Sequence, residues 1–512
     1  MRSIEDFNAD LFKNGTDIKE GKNIGMFKDW YSDRRFADQA FTGVDPTTIK
    51  RVSDHLLKEF GDAAIRGGYD HWAKELPLIK EELFVTDCSY LREAVGAEPQ
   101  EELVSVKKDN VTKWANASVT LYRLQGNGQL HPVAIVIDYK GSMRDSVTIF
   151  NKAKESLAPK SQDGPVPAQE KDWPWRYAKM CAQASSYVRH EIGTHLTLAH
   201  FVEEALIIAT NRTIPENHRV YQLLEPHWDK TIAINTAGRA ILVPSIIQEI
   251  VGLKEEQLHS LIRHEYTNMH YTESYVPNDL RRRGFPDTIE GLKDPRYRDY
   301  AYAKGALHMW DTIKCHVESV LRDQYKGDAD NSVATDKYIA DWCREMQEAA
   351  HIPSFPTIKT LSALVDAVTM AIHIAGPFHS AVNYLQNFYL AFVPSRPPAL
   401  SATLPSTLEE LRAYGEADVV QSLPMHQLRH WLLAMQVPWL LSFKVSEKNN
   451  IKSCTEDRVK LGPSELLGPN QVLFAAVKSF DQIMKDVNEQ MNPGSEPYTV
   501  LDPKNMAKSA LI

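Results

Sequence analysis

The chain has 512 residues, 43% of them hydrophobic, and a formal net charge of −9. That length can bury a large core, and the negative balance disfavours a nucleic-acid partner; the run Arg281-Arg282-Arg283 is short enough to read as a solvated surface cluster. Cys88, Cys181, Cys315, Cys343 and Cys454 are scattered without CxxC spacing, which argues for free thiols in a reducing compartment and against a disulfide scaffold.

The N-terminus, MRSIEDFNADLFKN, has no apolar core of the kind a secretory signal needs, so the reading is cytoplasmic, or secreted if an upstream segment is missing. Sequons at Asn14, Asn110, Asn116 and Asn211 weigh little against it, because such triplets arise by chance. Residues 1 to about 115 carry mainly helical patterns, including the amphipathic TTIKRVSDHLLKEFGDAAI. SVTLYRLQGNGQLHPVAIVIDY then alternates about a Gly-Asn-Gly turn and predicts a β-hairpin. A proline-rich loop follows from Leu157 to Pro174, and polar breaks fall near 324–335, 394–406 and 445–470. The longest apolar stretch, Leu361 to Phe378, contains Asp366 and His373 and predicts a buried core helix, with no transmembrane segment. With no internal repeat and no βαβ alternation, the expected fold is mainly α with a small antiparallel sheet. It is read as one catalytic domain, 1–512, with helices and a hairpin over 1–170 and a metal-binding helical core with a buried tail over 171–512.

The chemistry begins at His190-Glu-Ile-Gly-Thr-His195-Leu-Thr-Leu-Ala-His200, three imidazoles at intervals of five in an apolar segment. An α-helix turns ~100° per residue, so residues five apart diverge by roughly 140° and do not easily share a ligand. A π-type turn removes that divergence, which predicts one between His195 and His200. HEIGTH has one residue more than the His-Glu-x-x-His helix of zinc hydrolases, which needs its two histidines four apart. Later, GPFHSAVNYLQNF places His379 and Asn383 four apart on one helix face, a nitrogen donor beside an amide oxygen. The last residue, Ile512, has a main-chain carboxylate that would be the single anionic ligand if the tail were buried. Three imidazoles, an amide and one carboxylate leave an octahedral ion with a position for water. So little negative charge keeps a ferric ion oxidising, which suits hydrogen-atom abstraction.

At these residues the chain resembles the lipoxygenase family. The run WRYAKMCAQASSYVRHEIGTHLTLAHFVEEALIIATNRTIPENHRVYQLLEPHWDKTIAINTAGRAIL is similar to the family's ligand helix and the segment after it. HSAVN is similar to its His-Ala-Ala-Val-Asn type motif, and the tail matches its ending through Tyr498, Leu501, Pro503, Ser509 and Ile512. The resemblance implies that His195, His200, His379, Asn383 and Ile512 bind one non-heme iron ion, with His190 and Gln386 beside them. It also implies substrate contacts: Leu242 as an apolar clamp over the reacting methylene, Arg396 for a fatty-acid carboxylate that enters head first, and Gly238 at the position that influences the oxygenation face. Glycine there, where many S-selective members have alanine, leans toward R-type or mixed stereochemistry. The implied reaction removes a bis-allylic hydrogen from a polyunsaturated fatty acid of linoleic or linolenic type and adds O2 to give a hydroperoxide. A hydroperoxide-rearranging, epoxyalcohol-forming activity stays open. So does manganese, although manganese forms resemble a four-residue ligand interval and many end in Val, so the His195–His200 interval and Ile512 favour iron.

The chain departs from the family at Glu191, where the pattern has Gln, at Leu196, where Trp often follows the first ligand, and at His373, where Trp is expected. His373 reads as a buried, hydrogen-bonded histidine, and His218 and His227 as structural or close to the metal. The start leaves no room for the β-sandwich lipid-binding domain of plant and animal forms and resembles the shorter fungal and microbial ones. Peripheral membrane contact through exposed apolar helices near the substrate entrance is compatible with that.

Overall fold

The computed structural model describes residues 1–13, 22–154, 165–425, 427–462 and 464–511. Ser32 and Ser53 stand in extended backbone and accept N–H groups of Arg35 and Leu56, so helices Asp33–Thr42 and Asp54–Arg66 begin where each serine caps them. The helix expected from TTIKRVSDHLLKEFGDAAI is therefore confined to its second part. Among the described residues seven strands form: β1 (Lys50–Arg51), β2 (Leu83–Asp87), β3 (Val104–Val106), β4 (Thr112–Trp114), β5 (Val119–Leu124), β6 (Leu130–Val136) and β7 (Thr148–Phe150). They make a five-stranded antiparallel sheet in the order β1-β2-β5-β6-β7 and a separate β3-β4 hairpin. β5 and β6 are the predicted hairpin, turning at Gly128 with φ 90°. Four of the strands, β1 to β4, lie in the stretch expected to be mainly helical. They are two to five residues long, too short to carry a period of their own, and exist through pairing.

Alternate residues of the sheet serve two cores. Val119, Leu121, Val133 and Val136 join Phe60, Trp72 and Leu76 of the N-terminal helices, whereas Tyr122, Leu124 and Ile135 face the main helical core. The centre of that core is built from two long helices, Trp173–Thr213 and Leu361–Leu390. Each is long and apolar enough to cross a membrane, but 67% and 78% of their most apolar windows are buried inside the protein itself. Ala301–Gln324 packs on the second of them and Leu467–Gln490 packs on Ala301–Gln324 in turn, with Trp310 between Tyr275 and His373.

Other expectations change with burial. Arg283 is not a solvated cation: it is 2% exposed, paired with Asp279 at 2.7 Å and donating to the Tyr300 hydroxyl. The break near 394–406 is buried through Leu400, which bridges to Trp114, and the break near 445–470 contains a helix, Ile451–Leu461, capped by Asn450. All five cysteines are free thiols, as expected.

A third apolar helix, Thr231–Ile250, stands beside the histidine segment and then bends by 114° into Glu255–Thr267. Its last turns are held by the β3-β4 hairpin: the buried Lys113 ammonium donates to the Ile250 carbonyl at 3.3 Å and Lys107 to Leu253 at 2.9 Å. Cations placed on the carbonyl end of a helix are favourable with its dipole and satisfy acceptors that the helix leaves open. Burial pushes the Lys113 ammonium down to about 7.

Candidate metal centre

His195 and His200 lie in a π-wound segment, Arg189–Phe201, set inside the long helix Trp173–Thr213. The expected turn between the two histidines is therefore there, and the π winding extends a full turn further toward the N-terminus. It brings side chains five residues apart onto one side of the helix. The second long helix is also π-wound, over Ile374–Phe378, with Pro377 inside it, immediately before His379. Gly376 lets the C-terminal tail pack closely on that turn: a Cβ there would stand 3.0 Å from the Ala507 carbonyl oxygen, a tight contact.

The two helices bring three imidazoles to one point. Nε2 of His200 is 3.2 Å from Nε2 of His195 and 3.1 Å from Nε2 of His379, and the three rings are buried. The tautomer of His200 is set by its neighbour. Asn235 Nδ2 donates to the His200 carbonyl and to Glu204, which fixes its amide with Oδ1 toward His200 Nδ1 at 2.9 Å. His200 Nδ1 thus carries the hydrogen, and Nε2 presents a lone pair to the other two rings. Nitrogen lone pairs at such separations repel unless a proton or a cation lies between them. An ion about 2.1 Å from two nitrogens at a right angle holds them ~3.0 Å apart, so the observed separations fit adjacent positions around one metal.

His190 does not join this group. Its Nε2–H donates to the Val382 carbonyl at 2.6 Å, tying one helix to the other between His379 and Asn383. Burial, reinforced by Arg396, holds the His190 imidazole well below its usual pKa, so it is neutral. The His190–His195 pairing that a zinc-hydrolase reading would need is absent. Asn383 is fully buried one turn beyond His379, and its Oδ1 accepts from Gln386 Nε2 at 2.7 Å. Ile512 lies outside the described residues. The tail as far as Leu511 is buried: Ala507 N donates to Ser380 Oγ at 2.9 Å, His227 Nδ1 to the Lys508 carbonyl at 2.6 Å, and Thr231 Oγ1 to the Ala510 carbonyl at 3.2 Å.

Among the expected substrate residues, Gly238 is buried on the Thr231–Ile250 helix, one turn beyond Asn235, and Leu242 is half-buried against the main core. Arg396 is not a surface-loop residue. It is 2% exposed, donates to Ser186 and Gln39, and has no carboxylate within ion-pair distance among the described residues. Burial lowers its guanidinium to about 10. None of three cavities, one of about 840 Å³ beside Tyr384, Phe388 and Trp439, one of about 380 Å³ beside Lys314, Asp330 and Leu361 and one of about 150 Å³ beside Thr194, Leu198 and His373, is lined by these three residues. His373 is buried as expected, with its pKa pushed down to about 3, but its Nδ1 has no hydrogen-bond partner. His218 caps a helix and bonds Asp336, and His227 holds the tail.

The sequence profile of the Lipoxygenase family matches residues 102–498. The chain belongs to the lipoxygenase family. A manganese lipoxygenase of Pleurotus sapidus is 40% identical over all of this chain and 80% of its own length. A mouse polyunsaturated fatty acid lipoxygenase is 27% identical over 95% of this chain and 66% of its own length. The crystal structure of a fungal lipoxygenase from Fusarium graminearum superposes with a TM-score of 0.93 at 37% identity, covering 100% of this chain and 85% of that one. As a lipoxygenase the chain is an oxidoreductase of the dioxygenase class, and its histidine cluster is capable of holding a metal.

The lipoxygenase site also contains a residue that sequence reading passed over. Asn235 orients His200 and is itself held through Glu204, whose carboxylate takes two bonds from Arg239 at 2.7 and 2.9 Å. Asn235→Ala leaves His200 Nδ1 without its acceptor. Loss of such an outer partner is expected to weaken metal retention by about 10–100-fold, read by titrating the purified protein with a chelator.

Proposed function

We propose that His195, His200, His379, Asn383 and the Ile512 carboxylate hold one non-heme iron ion, and that the enzyme converts linoleic- or linolenic-type acids to hydroperoxides. The observation that carries the metal reading is the convergence of three Nε2 atoms, one of them with its tautomer fixed by Asn235. When bound, the ion supplies a one-electron oxidation coupled to removal of a hydrogen atom from a bis-allylic methylene. The chain's own residues do the rest. Asn235 and Glu204 hold His200, His190 fixes the two helices at Val382, and Gln386 holds the Asn383 amide. Leu242 and Gly238 stand on the helix beside His200, where an acyl chain is to be kept in place, and Arg396 offers a buried, carboxylate-free guanidinium suited to bidentate recognition of a fatty-acid head group.

Manganese is the second reading, favoured by the name of the 40% identical Pleurotus relative. The five-residue interval between His195 and His200 supports iron. Elemental analysis of protein purified without added metal tests the choice: stoichiometric iron is expected, and stoichiometric manganese with negligible iron overturns it. Incubation with linoleic acid and O2 is expected to raise conjugated-diene absorbance; consumption of hydroperoxide with no diene formed from the acid would make rearrangement the activity.

A Cβ built at Gly238 meets nothing within 4 Å, so alanine fits there without displacing a neighbour. Gly238→Ala is expected to fold as the parent does and to move the product mixture toward the S hydroperoxide on a chiral phase. Unchanged chirality and position would remove Gly238 from the oxygenation step.

A further inference from the structure

Glu191 is a buried carboxyl, 3% exposed, one turn before His195. Its Oε2 has no hydrogen-bond partner, and it forms no ion pair with a lysine or arginine among the described residues. The ionisable groups within 4 Å of it are two outer imidazole nitrogens, Nδ1 of His195 at 3.7 Å and Nδ1 of His190 at 3.8 Å. A buried carboxylate is unfavourable unless something compensates it. His190 does not, because its hydrogen is on Nε2 and bonded to Val382, which leaves a lone pair on Nδ1. His195 does once an ion takes the lone pair of Nε2, the nitrogen turned toward His200 and the common point: the neutral ring then carries its hydrogen on Nδ1, the side that Glu191 faces. The contrast with His200 is direct, since that ring has the neutral amide of Asn235 in the same place.

We propose that Glu191 is a positioning residue for the metal, acting through His195. It faces the Nδ1 side of the ring at 3.7 Å, a charge contact longer than a hydrogen bond, and so favours the tautomer that leaves Nε2 for the ion, raises the basicity of that nitrogen, and adds a negative charge behind a donor set of neutral imidazoles. The assignment rests on the reading of His195 as a ligand. It makes the departure from the family's glutamine a determinant of how firmly this chain holds its ion, and it gives the two histidines of one helix unequal outer partners.

The test uses the full-length protein as purified with its own ion, dialysed against graded EDTA, with residual metal per chain measured by elemental analysis. Glu191→Gln keeps the shape and removes the charge; it is expected to lose half its ion at about tenfold lower EDTA than the parent. In the metal-free state the same variant is expected to melt at or above the parent, because a buried carboxylate whose compensation by His195 depends on the bound ion is gone, a result that a merely structural role would reverse. Glu191→Asp, which withdraws the carboxyl by one methylene, is expected to fall between the two and serves as the comparison if the glutamine variant does not accumulate. Retention curves that superpose on the parent overturn the proposal. His195→Ala separates the two readings: it is expected to hold no ion, and if it keeps a full complement the ligand assignment fails whatever Glu191 does.

Discussion

His379→Ala yields a folded protein that retains no metal and forms no conjugated diene. His379 is the only one of the three converging imidazoles that comes from the second long helix, so its loss leaves two nitrogens five residues apart on one π-wound turn. Those two cannot close a coordination shell around an ion without donors from elsewhere. The effect is expected to exceed the ~10–100-fold that follows loss of an outer partner, such as Asn235, because a donor atom itself is removed. The fold survives because both helices are tied independently of that ring. His190 bonds Val382, Ser380 Oγ accepts from Ala507, and the surrounding faces are apolar core. Elemental analysis with a thermal melt checks both halves: metal retained at one equivalent, with normal turnover, would dismiss the convergence as a site.

Extending the chain by a single residue after Ile512 is expected to abolish turnover while leaving the melting temperature within a few degrees of the parent. The tail has no slack to absorb an insertion. Ala507 is bonded to Ser380 next to His379 and its carbonyl packs on Gly376; Lys508, Ser509 and Ala510 are held by His227, the Asp229 carbonyl and Thr231. Those anchors lie on the helix that bears His379 and at or just before the start of the helix that bears Asn235, so the described tail is fixed as far as Ala510. An added residue moves the terminal carboxylate by up to ~3.5 Å, more than a metal–oxygen bond length. The anchors themselves are upstream and stay in place, which is why stability is little changed. An extended protein with full turnover would exclude the Ile512 carboxylate as a ligand.

Much of the site was legible in the residues. The interval of five between His195 and His200 calls for π winding, and the structure has it, because helical phase is a local property of the backbone. The spacing of His379 and Asn383 placed both on one face, and the apolar run before them marked a core helix. Less legible were the strands before residue 115, which are too short to show alternation and form only by pairing across the chain. Arg283 looked like a surface cation, since nothing in its neighbours along the sequence announces that it is 2% exposed. Asn235 was missed for a related reason: a polar residue on a helix is ordinarily solvent-facing, and the one available signal was that asparagine is a poor choice for a helix interior.

The amino-acid sequence by itself determined the kinds of donor atom, their spacing along each helix and the family to which the chain belongs, because these depend on side-chain chemistry and on winding over a few residues. Which nitrogen of each ring faces the common point was decided only by the tertiary structure. That choice is made by contacts between distant parts of the chain, as His200 with Asn235 shows, and a hydrogen-bond acceptor sets a tautomer only when folding has brought it within about 3 Å.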